Sequence, residues 1–408
     1  MSLVVQKYGG TSVGDASRIR EVASRVAVRR QAGDDVVVIV SAMGTTTDDL
    51  LRLSTEVSPN EHPREMDMLL TAGERVSMAL LAMAIQDLDI EAMSLTGSQA
   101  GILTDSSHGE AKIQDIRPFR VREALDAGRV VIVAGFQGVS PDTKEVTTLG
   151  RGGSDATAVA MAAALGADAC EIYTDVDGVF TADPQVVDSA RRIEEISYEE
   201  MLELAAAGAR VLMPRAVEFG MRFGLPIYVA SSFHDGPGTW VKEKTMEQAI
   251  VRGIAHDTLA TKITVHGVPD RPGVAATLFE PLAAEGVSVD MIVQNVSERG
   301  ITDISFTVPR EHEDLARTVA ESVASEIGAM GIDVTSKIAR LSIVGSGMRA
   351  EPGVAATMFR ELADADVNID MISTSSIRVS CVVDESDVDR AMECLHRVFD
   401  LGEDTAGE

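Results

Sequence analysis

Short β-branched runs alternate with helical patterns from the first residue to about residue 235. Strands are predicted at Leu3–Gln6, Val36–Ser41, Val130–Phe136, Glu171–Thr174 and Ile227–Ser231, each a compact apolar run. Ala16–Ala32 puts Ile19, Val22, Ala23 and Val26 on one helical face, begins after Asp15 and stops at Gly33. Ala156–Leu165, capped by Ser154 or Asp155 and ended by Gly166, reads as a second helix, and Tyr198–Ala207 as a third. This alternation implies a largely parallel sheet with helices on both faces. Ligands of such sheets sit beyond the carboxyl ends of the strands, where Lys7, Ser41, Gly135 and Thr174 fall.

The pattern changes in the second half. Residues 271–292 align with residues 351–372 at an offset of 80, with 13 of 22 positions identical, so the chain holds two copies of one small module. Each copy reads strand, Pro-Gly turn, helix, strand, then a further strand and helix; Lys262–His266 and Leu341–Val344 lead them. A linker is expected near His234–Gln248.

A chain of 408 residues exceeds one compact core, and 45% hydrophobic with 25% charged residues suits a soluble globular protein. No uninterrupted apolar run approaches the ~18 residues that span a bilayer. The first residues lack a basic segment followed by an apolar one, so no secretory leader is expected. Cys170, Cys381 and Cys394 are too few and too scattered for a disulfide framework or a metal site, and the cytoplasm is the expected compartment. A net charge of −28 disfavours nucleic acid and anionic membrane as partners, and obliges an anionic substrate to find a local cation.

Four segments supply candidate chemistry. Lys7-Tyr-Gly-Gly-Thr-Ser12 follows the first strand, so glycine backbone and a lysine meet where a phosphate would bind; no Walker sequence is present. Thr71-Ala-Gly-Glu-Arg75 places Glu74 in an apolar helical pattern. Thr147-Thr-Leu-Gly-Arg-Gly-Gly-Ser-Asp155 is a glycine-rich loop feeding a helix, and Tyr173–Pro184 is a strand end bearing Asp175, Asp177 and Asp183. Lys7, Gly9, Gly10 and the helix start after Gly153 suit a transferring phosphoryl group. Arg151 suits an acceptor carboxylate, Glu74 an acceptor ammonium, and Asp155 is placed to hold Lys7. The scattered histidines offer neither a metal site nor a triad. Gly345-Ser-Gly-Met-Arg-Ala350 fails the dinucleotide fingerprint at its third glycine.

With Val38-Ile-Val-Ser-Ala-Met-Gly44, Leu70–Glu74 and Tyr173-Thr-Asp-Val-Asp-Gly-Val179 added, these segments resemble aspartate kinases, closest to the actinobacterial type inhibited by lysine plus threonine. The repeated modules resemble paired ACT domains. The resemblance implies an α/β amino-acid-kinase fold over residues 1–245. Two α+β ferredoxin-like ACT domains follow, 246–336 with the linker and 337–408, with a C-terminal strand that returns to the first. It implies phosphorylation of the β-carboxylate of L-aspartate by ATP, with Mg²⁺ carried by the nucleotide and no separate metal site. Lys7 and Asp155 are then catalytic. Ser41, Thr45, Thr47, Glu74, Arg151, Gly152, Gly153 and Ser154 bind aspartate, with Thr45–Asp49 as a loop. Lys7, Tyr8, Gly9, Gly10, Thr11, Ser12, Thr174, Asp175, Phe180, Asp183, Gln185 and Arg210 line ATP.

Lysine and threonine are expected at Asp270, Pro272, Gly273, Val274, Ala275, Ala276, Gln294 and Asn295. In the second module the matching positions are Val354, Ala355, Asn368, Asp370, Thr374 and Ser375. The resemblance also implies a homo-oligomer, or a mixed tetramer with a regulatory subunit started at Met246. Gln185, Arg210, Met213 and Ala230 depart from residues common in the family, and bear on nucleotide affinity. Two alternatives stand beside this reading: an amino-acid kinase for glutamate or acetylglutamate, and a non-catalytic amino-acid sensor.

Overall fold

The computed structural model describes residues 2–60, 62–243, 249–294 and 300–402. Met246 and Asn295 lie outside them. The described residues fall into two compact units. Of the described residues, the first holds those within 2–179, 192–205 and 210–243; the second holds those within 180–191, 206–209 and 249–402.

The first unit begins with β1 (Leu3–Tyr8), α1 (Ala16–Gln31), β2 (Asp35–Val40), α2 (Thr46–Val57) and α3 (Pro63–Gln86). β3 (Ala92–Leu95), β4 (Ile102–Thr104), β5 (Ile113–Ile116), α4 (Phe119–Asp126), β6 (Val130–Ala134), β7 (Gln137–Val139) and β8 (Val146–Thr148) follow. It continues through α5 (Gly153–Leu165), β9 (Ala169–Thr174), β10 (Glu195–Ser197), α6 (Tyr198–Ala207), α7 (Pro214–Phe223), β11 (Ile227–Ser231) and β12 (Thr239–Lys242). The main sheet runs β10-β12-β11-β9-β1-β2-β6-β3, and a small one runs β5-β4-β7-β8. β11, β9, β1, β2, β6 and β3 are mutually parallel. Their carboxyl ends therefore open on one side. Part of the expected linker is β12, which pairs antiparallel with β11.

The helices form as their sequences dictate. Asp15, extended at φ −148°, accepts hydrogen bonds from the Ser17 and Arg18 amides and starts α1. Ile19, Val22, Ala23, Val26 and Ala27 form its buried stripe. They pack with Leu81, Ala82 and Ile85 of α3 against Val36, Val38 and Val40 of β2. α3 spans 24 residues and is apolar enough to cross a membrane, yet it belongs to this core. α5 is buried on nearly every face from Gly153 to Ala162, which its run of alanines permits.

The second unit begins with β13 (Gly253–Asp257) and β14 (Ala260–Pro269), then α8 (Val274–Ala284), β15 (Ile292–Gln294), β16 (Ile301–Pro309), α9 (Glu313–Ile327) and β17 (Gly331–Thr335). The second copy is β18 (Ile338–Val344), α10 (Val354–Asp364), β19 (Met371–Thr374), β20 (Arg378–Asp384) and α11 (Val388–Val398). Their sheets run β15-β16-β14-β17 and β13-β18-β20-β19. The last described element is α11; the expected returning C-terminal strand would fall after residue 402, outside the described residues. β13 pairs antiparallel with β18 of the second copy. Residues 180–191 also depart from the expected boundary. Ala182 and Val187 enter the core of the second copy beside Leu341 and Leu395, and Thr181 Oγ1 lies 2.9 Å from His396 Nε2.

Candidate active site

The parallel register sets Lys7 beside Ile39 and Ile172, one residue before β1 ends. Alternation along the strand sends Lys7 toward α5 and Tyr8 toward α1. Lys7 Nζ lies 2.6 Å from Asp155 Oδ1 in the first turn of α5, with both residues under 10% exposed. The Gly9 amide donates to Tyr173 O, and the Ser41 amide to Tyr8 O, which ties the strand ends together. Gly9 lies beside the ammonium: a Cβ there would stand 3.5 Å from Lys7 Nζ.

α5 starts after two left-handed glycines, Gly150 (φ +74°) and Gly152 (φ +69°). Gly152 is the N-cap, so the expected Ser154 or Asp155 cap is displaced by the turn; Asp155 sits inside the first turn and turns to Lys7 instead. A Cβ at Gly152 would collide with Met213, and one at Gly153 with Leu149 and Phe136. The first turn of α5 carries amides without intrahelical partners and a partial positive charge.

Glu74 enters from the middle of α3, which approaches so closely that a Cβ at Gly73 would stand 2.7 Å from Ala42 Cβ. Burial raises the Glu74 carboxyl from its ordinary value near 4.5 to about 7, partly offset by hydrogen bonds from the backbone of Glu74 and Ala42. Its Oε2 is buried with no hydrogen-bond partner. A buried acid with an open acceptor is suited to an incoming cation.

These groups line one cleft of about 630 Å³. It brings together Lys7, Gly9, Gly10, Ser41, Thr47, Glu74, Arg151, Gly152, Gly153, Ser154, Asp155, Thr174 and Arg210. Other predicted residues are elsewhere. Tyr8 is buried on the opposite sheet face, stacked on Tyr173 at 5.0 Å between ring centroids. Ser12 bonds to Ser232 Oγ at 2.9 Å, and Thr11 is exposed in the turn after β1. Thr45 caps α2 and bonds Asp49, so the expected Thr45–Asp49 loop is a helix start. Asp175 accepts from Thr174 Oγ1. Phe180, Asp183 and Gln185 belong to the second unit, where Asp183 Oδ1 receives the Gln185 amide in a turn. The cleft also contains Asp67, Met66, Leu70, Glu110, Phe136 and Thr148, to which the sequence reading gave no role. Asp67 had one signal: it is a lone acid in the apolar run Met66–Leu70.

In the second unit, Gly273 (φ +93°) and Gly353 (φ +108°) cap α8 and α10 as the Pro-Gly turns require. Val274 and Val354 turn into the two module cores, because each begins its helix's apolar stripe. Asp370 is paired with Lys262 Nζ at 2.7 Å, which ties the two modules. Pro272 and Asn368 are exposed, as are Gln294 and Thr374 at strand ends.

Comparison with known proteins identifies the family. Residues 2–231 match the model of the amino acid kinase family, and residues 263–322 and 341–399 match an ACT domain. The chain is 56% identical to an aspartokinase of Mycolicibacterium smegmatis, over 99% of this chain and 97% of that protein. The chain belongs to the aspartokinase family. Aspartokinases are kinases, and so is this enzyme. Among solved structures, E. coli aspartokinase III in complex with aspartate and ADP matches with a TM-score of 0.82 at 27% identity, over 97% of this chain and 99% of that one. The same protein in complex with lysine and aspartate matches with a TM-score of 0.75, again at 27% identity and over 97% and 99% of the two chains.

Proposed function

We propose that the cleft transfers the γ-phosphoryl group of ATP to the β-carboxylate of L-aspartate, giving 4-phospho-L-aspartate and ADP. The observation that carries this reading is the buried Lys7–Asp155 pair facing one cleft with Glu74 and Arg151. Lys7 and the first turn of α5 neutralise charge as it shifts from the γ-phosphate to the leaving oxygen. Asp155 holds the ammonium in place. Arg151 binds an acceptor carboxylate through its planar fork, and Glu74 binds the ammonium. Ser41, Thr47 and Ser154 add hydroxyl contacts, and Thr174 and Arg210 line the nucleotide.

An aspartate side chain with an ordinary pKa of about 3.9 is ionised at pH 7, so its oxygen attacks without a general base. The catalytic need is alignment and charge neutralisation. Among the described residues no three His, Cys, Asp or Glu side chains form a metal cage. Magnesium carried by ATP would supply positive charge to the phosphates. Hydroxamate trapping of the acyl phosphate from L-aspartate, L-glutamate and N-acetyl-L-glutamate tests the acceptor. Product from L-aspartate alone is expected, and a preference for either other acid refutes the assignment.

The product would feed synthesis of lysine, threonine, methionine and diaminopimelate in the cytoplasm. E. coli aspartokinase III is solved in complex with lysine, which supports lysine as an effector here; threonine is proposed beside it, both at the turns and strand ends of the modules. The assembly is a homo-oligomer or a mixed tetramer with a subunit begun at Met246. A single full-length band from the native gene would exclude the second form.

A further inference from the structure

Asp67 lies on α3 two turns before Glu74 and is completely buried. Its Oδ1 accepts from Thr148 Oγ1 at 2.5 Å and from the Gly109 amide at 3.1 Å. Its Oδ2 lies 2.6 Å from His108 Nδ1. A buried carboxylate is tolerated only where donors satisfy it, and hydrogen bonds to a charged acceptor are strong and directional. Asp67 is therefore a fixed point on a rigid helix to which two segments are fastened.

Those segments lead to the acceptor side of the cleft. Thr148 ends β8 and hands the chain through Leu149 to the Gly150–Gly153 turn that carries Arg151. The Ala111 amide donates to Thr148 O at 2.8 Å. Arg215 of α7 closes the same junction from the other side, with Nη1 donating to Leu149 O at 3.3 Å and Nη2 to Ala111 O at 3.1 Å. A Cβ on Gly150 would stand 3.3 Å from Gly109 O, so the two loops touch.

We propose that Asp67 is a positioning residue for the acceptor. Its carboxylate fixes His108 and Gly109 against Thr148, and so sets the direction in which Arg151 and the first turn of α5 face the cleft. Both carboxylate oxygens are occupied by protein groups, so Asp67 acts through the loop. This inference rests on the reading of Arg151 as the cation for the acceptor carboxylate.

Steady-state kinetics with each substrate varied in turn test it, on Asp67→Ala, Asp67→Asn, Thr148→Val, Arg151→Ala and the double variant Asp67→Ala/Arg151→Ala. Misplacing a positioning group by an ångström is costly, so Asp67→Ala is expected to raise the KM for L-aspartate about tenfold or more, with the KM for ATP unchanged within about twofold. Asp67→Asn keeps one acceptor for Thr148 and Gly109 and recovers most of the loss. Thr148→Val removes one donor, and is expected to raise the KM for aspartate by roughly threefold to tenfold. It answers the question if Asp67→Ala fails to fold. The double variant is no worse than Arg151→Ala alone, since the anchor acts through that arginine. Equal changes in both KM values, an unchanged KM for aspartate in Asp67→Ala or in Thr148→Val, or strict additivity in the double variant would overturn the proposal. An unchanged KM for aspartate in Arg151→Ala would overturn the acceptor reading itself, and with it the basis of this one.

Discussion

The ammonium of Lys7, at the end of the first strand, stands 2.6 Å from Oδ1 of Asp155, in the first turn of a helix 146 residues later in the chain. Both side chains are about 10% exposed. Removing one member of such a pair leaves a buried charge without compensation, at a cost of about 3–5 kcal/mol. Lys7→Met should therefore lower stability in urea by several kcal/mol, and adding Asp155→Asn should restore much of it. A double-mutant cycle by equilibrium unfolding measures this coupling, and strictly additive losses would refute it.

With Glu74 as the partner of the substrate's ammonium, aspartate binding is expected to depend on pH. Its carboxyl is held near 7 by burial, so a large fraction is protonated in the free enzyme just below neutrality. The substrate's ammonium favours the carboxylate, so binding must expel that proton below pH 7, and affinity rises with pH until Glu74 is ionised. The KM for aspartate should be about tenfold higher at pH 6 than at its plateau above pH 8. Glu74→Gln should flatten this dependence while raising KM throughout; an unchanged profile in that variant would remove Glu74 from the role.

Gly152 is constrained twice, by φ +69° and by Met213 beside it. Left-handed backbone costs a residue with a Cβ about 1–2 kcal/mol, and the collision adds to that. Gly152→Ala is expected to lower the melting temperature and raise the KM for aspartate. Met213→Ala in the same chain should recover the collision's share and leave the backbone's share. Failure of the second substitution to recover anything would place the defect elsewhere.

Tyr8 separates strand alternation from motif membership. Its ring faces Tyr173, and its hydroxyl lies 3.3 Å from Gln6 Oε1. Tyr8→Phe should cost about 1 kcal/mol in stability and leave the KM for ATP within twofold of wild type. A tenfold rise in that KM would return Tyr8 to the nucleotide.

The alternation of apolar runs was enough to read the parallel sheet and the ligand edge, because buried parallel strands and capped helices write themselves locally. β1 and β9 each run longer than predicted, since Lys7, Tyr8 and Ala169 pair in the ladder despite their sequence context. The glycine and charge motifs identified most of the cleft wall. Asp67 was not assigned a role because it meets the cleft through a contact 81 residues away along the chain, from Thr148 Oγ1. The position of residues 180–191 was equally hidden: Ala182 and Val187 look like turn residues after a strand, and only the second copy's core gives them a place.

The Lys7–Asp155 cleft is proposed as the phosphoryl-transfer site. Aspartyl hydroxamate formation from ATP, Mg²⁺ and L-aspartate, compared between wild type and a folded Lys7→Met variant, tests it most directly. Loss of a transition-state donor lowers kcat by about 10²–10³-fold, and that fall is the expected result. A folded Lys7→Met enzyme with wild-type kcat would place the chemistry outside this cleft.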